Sequence, residues 1–174
     1  MNEILNAMKT RRSCRNFKPD MVPQEIIGQI CEAGTYAATG MNRQSPVIVV
    51  IKDKAVRDRL AEINAKIMGK ESFDPFYGAP VVLMVLADAG ASTYVYDGSL
   101  VMGNLMLAAH ALGVASCWIH RAKEESEMEE IKELLHSIGI EDNYVGIGHS
   151  VIGYAADEPR PAPPRKENYV RYIG

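Results

Sequence analysis

Three guanidinium groups and a hydroxyl fall within five residues at Arg11-Arg12-Ser13-Cys14-Arg15. Arginine grips phosphates and polarised carbonyls through paired N–H donors, so this cluster suits a small anion. Basic residues at a helix end also complement the helix dipole, and Arg11 and Arg12 follow a predicted helix, so spacing alone leaves both roles open. A second polar group, Asn42-Arg43-Gln44, stands between Gly40 and an apolar run. Its amides could read the edge of a planar heterocycle or form an ordinary polar turn.

Other chemical patterns fail on inspection. Gly146-x-Gly148 is followed by Gly153, five residues on instead of three, which breaks the dinucleotide fingerprint, and no G-x-x-x-x-G-K-[ST] run is present. Cys117 and His120 stand three apart on a predicted strand, so their side chains point to opposite faces and do not pair as nucleophile and base. Cys117 and Trp118 read as core residues. Asp97 reads as a helix N-cap, and no paired carboxylates stand out for acid/base work. The cysteines Cys14, Cys31 and Cys117 are odd in number without C-x-x-C spacing, and the four histidines keep no helical spacing from one another. Neither a disulfide framework, a thioredoxin-type pair nor a zinc site is expected. Redox chemistry in this chain needs a cofactor, and no side-chain nucleophile is expected.

Composition narrows the partners. The chain has 174 residues, 47% of them apolar and 24% charged, with 19 Lys+Arg against 22 Asp+Glu for a net charge of -3. An acidic chain whose longest basic run is Arg11-Arg12 argues against nucleic acid. Its longest purely apolar run, residues 79–87, is less than half of the ~20 needed to span a bilayer. Glu3 near the N-terminus does not fit the cationic start of a signal peptide, which predicts a cytoplasmic location.

Elements that could position these residues follow from periodicity. Ile4, Leu5 and Met8 predict a short helix over 2–12. Pro23 at a helix start, with Ile26, Ile27, Ile30 and Cys31 behind it, predicts a second that ends before Gly40. The β-branched run 47–51 predicts a strand buried on both faces. Asp53 can cap a helix with the stripe Val56, Leu60, Ile63 and Ile67, ending at Gly69. Residues 70–78 carry Phe73, Phe76 and Tyr77 without regular period and predict a loop that covers a site. A strand at 81–86 precedes a helix at 97–112 that is apolar on every face, hence buried in the chain or against a second subunit. Strands follow at 114–119 and 145–154 around a charged helix at 124–138. Four prolines between 159 and 164 hold the tail extended, and 168–173 predicts a short strand. The reading is one α+β domain over 1–174 with a mixed central sheet flanked by helices and a Pro-rich C-terminal tail at 155–174.

In order along the chain stand Arg11-Arg12-Ser13-Cys14-Arg15-Asn16-Phe17, Ala37-Ala38-Thr39-Gly40-Met41-Asn42-Arg43-Gln44 and Tyr77-Gly78-Ala79-Pro80. Asp97-Gly98-Ser99, Asn104-Leu105-Met106, Leu112-Gly113-Val114-Ala115-Ser116-Cys117-Trp118-Ile119 and Ile152-Gly153-Tyr154 follow. Taken together they resemble the nitroreductase family of FMN-dependent NAD(P)H oxidoreductases, in a short-chain form, over nearly the whole chain. Two places depart from the commoner pattern: Ser45-Pro46 stands where Pro-Trp is frequent, and Ala38 where Pro is frequent.

The resemblance implies an intertwined homodimer with FMN at its interface, and helix 97–112 as the dimerisation helix. It implies that Arg11, Arg12 and Ser13 contact the phosphate and ribityl chain, and that Arg15 sits beside the flavin's N1 and C2 carbonyl, where negative charge gathers on reduction. Asn42 and Gln44 would meet the pyrimidine edge, Trp118 and Ile119 would pass near N5 through backbone groups, and Arg165 or Lys166 would close on the phosphate. NADH or NADPH would reduce the flavin, and an electron-poor acceptor such as a nitroaromatic or quinone would reoxidise it. The alternatives are another flavin chemistry, dehydrogenation or reductive removal of a substituent, and a flavin-binding dimer without turnover.

Overall fold

The computed structural model describes residues 2–174. Helix α1 (Glu3–Thr10) starts at Asn2, whose side chain accepts from Leu5 N. Helix α2 (Gln24–Thr35) follows Pro23 and precedes a 3-10 turn at Gly40–Asn42. Strand β1 (Pro46–Ile51) leads into α3 (Lys54–Ile67), where Asp53 accepts from Val56 N at 2.9 Å as its pattern predicts. Strand β2 (Val81–Asp88), the long helix α4 (Tyr94–Ala111) and β3 (Ala115–Ile119) come next. Helices α5 (Ala122–Ser126) and α6 (Glu129–His136) precede β4 (Tyr144–Gly153).

The four strands form a sheet in the order β1-β2-β4-β3. Every pairing between them is antiparallel. Strands β2 and β3 run the same way around the α4 crossover, but β4 inserts between them, so no parallel ladder forms. The parallel component of the expected mixed sheet is one bridge, Ser13 to Ser116, at the outer edge of β3. Alternating side chains of β2 feed two cores. Val82, Met84 and Leu86 pack with Leu60, Ile63, Ile131 and Leu135 of α3 and α6. Val81, Leu83, Val85 and Ala87 pack with Ile27, Ile30, Met102 and Leu105 of α2 and α4.

Four sequence expectations are corrected. Strand β1 lies at the sheet edge and is half-buried, with Val50 exposed, while β2 holds the fully buried centre. The loop over 70–78 is a core plug and not a cover: Asp74 accepts from Phe76 N, Gly78 N and the Arg57 guanidinium, and Phe76 is fully buried. The helix expected at 124–138 breaks at Met128, whose backbone is extended. Helix α5 is held to β4 there, because Gly146 N donates to Ser126 Oγ at 3.0 Å. No strand forms at 168–173, where Tyr172 and Ile173 are exposed.

Helix α4 buries Val101, Met102, Leu105 and Ala109 on one side and leaves Tyr96 72% and Leu100 51% exposed on the other. Among the described residues no helix is long and apolar enough to cross a membrane.

A Cβ at Gly146 would lie 2.0 Å from Ala122 O, and that backbone cannot rotate away. Gly146→Ala is expected to cost at least about 2 kcal/mol by overpacking, read as a lower urea midpoint with unchanged slope.

Candidate functional site

Helix α1 ends because Arg11 leaves the helical region, its N–H still donating to Ala7 O. The chain then runs extended beside β3, where Cys14 N donates to Ser116 O at 2.9 Å. It next pairs with the segment after β4: Lys18 N donates to Tyr154 O, Ala156 N to Asn16 O, and Asn16 Nδ2 to Asp157 Oδ2 at 2.7 Å. These pairings open a cleft of about 760 Å³ between residues 10–16, the end of α4 at His110 and Gly113, and the proline tail. Arg11, Arg12, Ser13 and Arg15 all line it, so the structure brings together the first predicted group.

Its electrostatics favour an anion. Arg11 Nη1 and Arg12 Nε are buried donors without a hydrogen-bond partner. An unmet buried donor costs free energy that an acceptor would recover, more so when the donor is charged. Arg12 Nη1 is meanwhile held by Lys9 O at 2.8 Å and Arg11 O at 2.6 Å, which fixes the fork. His110 Nε2 lies 2.9 Å from Thr10 Oγ1. Burial, with the nearby Arg11 and Arg12 charges, pushes the His110 pKa below its ordinary value, so it adds a polar but uncharged wall. Arg160 also lines the cleft, beside Asp157 and Glu158. The motif reading missed Arg160; its signal is its place between Pro159 and Pro161 in an extended tail. Arg165 donates to Pro163 O and Lys166 lies over the Tyr169 ring, and neither lines this cleft.

Trp118 and Ile119 turn their side chains into the two cores. Because Ser116 O faces outward to Cys14 N, strand alternation puts the Trp118 backbone on the same outer edge. The Cys117 thiol is buried and burial raises its pKa, in keeping with a core residue.

Asn42 and Gln44 stand elsewhere. Both have positive φ, as does Met41, and Gln44 Nε2 donates to Asn42 Oδ1 at 3.3 Å. Their turn is tied to the first turn of α4 by Asp97, which accepts from Gly40 N at 3.0 Å, Thr93 Oγ1 at 3.0 Å and Ser45 Oγ at 3.1 Å. Asp97 is therefore a buried tether and not an N-cap. Asp97 and His110 are thirteen residues apart on one helix, which separates the two polar groups by about 20 Å along its axis. One chain does not bring Asn42 and Gln44 to the arginine cleft.

The protein is an α+β sandwich with an arginine-lined cleft at one end of its long helix and an amide-bearing turn at the other, and the unmet donors of the cleft suit a small anion. Residues 8–154 match the sequence profile of the Nitroreductase family, and the chain belongs to that family. It is similar to a putative NADH dehydrogenase/NAD(P)H nitroreductase of Archaeoglobus fulgidus, at 31% identity over 91% of this chain and 88% of the relative. A nitroreductase with bound FMN from Bacteroides fragilis superposes with TM-score 0.91 at 25% identity over 100% of both chains. One with bound FMN from Desulfitobacterium hafniense gives 0.86 at 27% over 100% of both.

Burial opposes ionisation of Asp97, but the hydrogen bonds from Gly40, Thr93 and Ser45 outweigh it and hold its pKa below the ordinary carboxylate value. A carboxylate depressed on folding stabilises above its unfolded pKa of ~3.9 and loses that contribution as pH falls through the folded value. Asp97→Asn is expected to lose about 1–3 kcal/mol at pH 7. The gap from wild type should shrink below pH ~4, measured by denaturant titration across pH.

Proposed function

We propose that the chain is an FMN-dependent NAD(P)H oxidoreductase acting as a homodimer, with each cofactor site assembled from both subunits. The observation that carries this reading is the pair of buried, unpartnered donors, Arg11 Nη1 and Arg12 Nε, in a cleft large enough for a ribityl phosphate. They fit the doubly charged phosphate of FMN, with the Ser13 hydroxyl and Arg160 beside them. Arg165 and Lys166 lie a few residues further along the same exposed tail and would add to this grip from there. Arg15 would set a fixed cation against the carbonyl edge of the ring, where charge gathers on reduction.

Asn42 and Gln44 fit the opposite edge of such a ring but sit at the other end of α4. Two copies related by a two-fold axis, packed through the exposed Tyr96 and Leu100 side of α4, would set the arginine end of one against the amide end of the other. The same packing would cover the exposed Ile4, Leu5 and Met8 of α1. Bound FMN would supply two-electron transfer from NADH or NADPH to an electron-poor small molecule, nitroaromatic or quinone-like. The chain itself would bind and orient, with no side chain bonded to substrate. A cytoplasmic location belongs to the same reading.

The purified protein is expected to carry a yellow chromophore, bleached anaerobically by NADH or NADPH and restored by a nitroaromatic or quinone. Arg11→Ala is expected to weaken FMN binding by about 10- to 100-fold in a fluorescence titration. A protein that takes up no FMN would overturn the reading. Bound FMN that neither nucleotide bleaches would favour binding without turnover.

A further inference from the structure

Behind the outer edge of β3 lies a polar chain that the proposed chemistry does not use. Asn64 of α3, Glu125 of α5 and His149 of β4 are fully buried. His149 Nε2 meets Glu125 Oε2 at 2.6 Å, and Asn64 Nδ2 donates to Glu125 Oε1. Asn64 Nδ2 also donates to His120 O at 2.9 Å, while Asn64 Oδ1 accepts from Arg121 Nε at 2.8 Å. Asn64 thus ties two consecutive loop residues to α3, and Glu125 braces Asn64 against His149, whose Nδ1 has no partner.

Those residues need holding. Arg121 has φ 78 and ψ 7, left-handed backbone in a residue with a Cβ. That conformation costs about 1–2 kcal/mol and persists where surrounding structure over-determines it. The Ala122–Lys123 peptide just beyond is pressed onto β4 at Gly146, where no side chain fits. A buried ionisable pair such as His149 with Glu125 is weak as a source of stability, since apolar residues of the same volume do as well, and its best use is to select one conformation.

We propose that Asn64, Glu125 and His149 are positioning residues that hold residues 119–121 in a single backbone conformation, so that the outer edge of β3 presents a fixed face to the cofactor. That edge runs from Ser116, beside the arginine cleft, through Trp118 to His120, about 13 Å along the strand. It is the path from the proposed phosphate grip toward the flavin ring. The inference rests on the FMN reading only for the identity of the ligand that this edge meets.

The test compares Arg121→Ala with Arg121→Gly in the full-length protein. Both lose the donor to Asn64, but alanine keeps the Cβ that opposes positive φ and glycine does not. Two quantities are read: amide hydrogen exchange over residues 119–122 relative to intrinsic rates, and FMN affinity by fluorescence. Arg121→Ala is expected to exchange and release FMN about tenfold more readily, the size set by the strain no longer held. Arg121→Gly should stay close to wild type in both. Asn64→Leu should also bind FMN about tenfold more weakly, and adding Arg121→Gly should restore most of the loss. Equal behaviour of Arg121→Ala and Arg121→Gly in both measurements would overturn the positioning role. If wild type takes no FMN, the cofactor reading fails, and the exchange contrast alone still decides the positioning role.

Discussion

Helix α4 sets the geometry on which everything else depends. It is a rigid rod of 18 residues with a polar contact at each end: Asp97 grips the turn of Gly40 and Ser45, and His110 meets Thr10 beside the arginines. A helix cannot shorten, so the amide turn and the arginine cleft are kept about 20 Å apart within one chain. The apolar side that α4 leaves exposed then has a physical purpose. In the proposed dimer it would let a second copy supply what the first holds at the wrong end.

The arginine cleft and the buried network behind β3 differ in where their polar groups find partners. Arg11 Nη1 and Arg12 Nε are buried donors without a partner, and within the network His149 Nδ1 is unpartnered too. Both arginines line the cleft. Glu125 and Asn64 are satisfied by one another, by His149 and by the loop backbone, deep in the fold. On the proposed reading the first arrangement would meet a ligand's acceptor, and the second would fix the backbone that leads away from the site. Both act through β3, whose outer edge takes the Ser13 bridge at one end and enters the Arg121 turn at the other.

Features set by neighbours in sequence were legible. The Asp53 cap, the apolar β2 and the all-round apolar α4 follow from local composition, and the ordered motifs pointed to the family that residues 8–154 match. Features set by distant partners were not. The composition of β1 does not say that it lies at an edge, because strand order depends on β4, nearly a hundred residues later. Asp97 looked like a cap because Gly40 and Ser45, more than fifty residues earlier, are invisible to local reading. Phe76 looked like part of a cover because its burial depends on His149 and Arg57. Arg160 went unnoticed because an extended tail carries no period to place it.

Subunit complementation tests the central claim most directly. Arg11→Ala removes a group from the cleft end of α4, and Asn42→Ala one from the turn end. Each pure variant should bind FMN weakly at every site. In a mixed dimer one site collects both substitutions and the other collects none. An equal mixture, exchanged to equilibrium, should therefore recover full affinity at about a quarter of its sites, the statistical share for two-fold dimers. A mixture that binds no better than the average of the two variants would contradict a site shared between subunits.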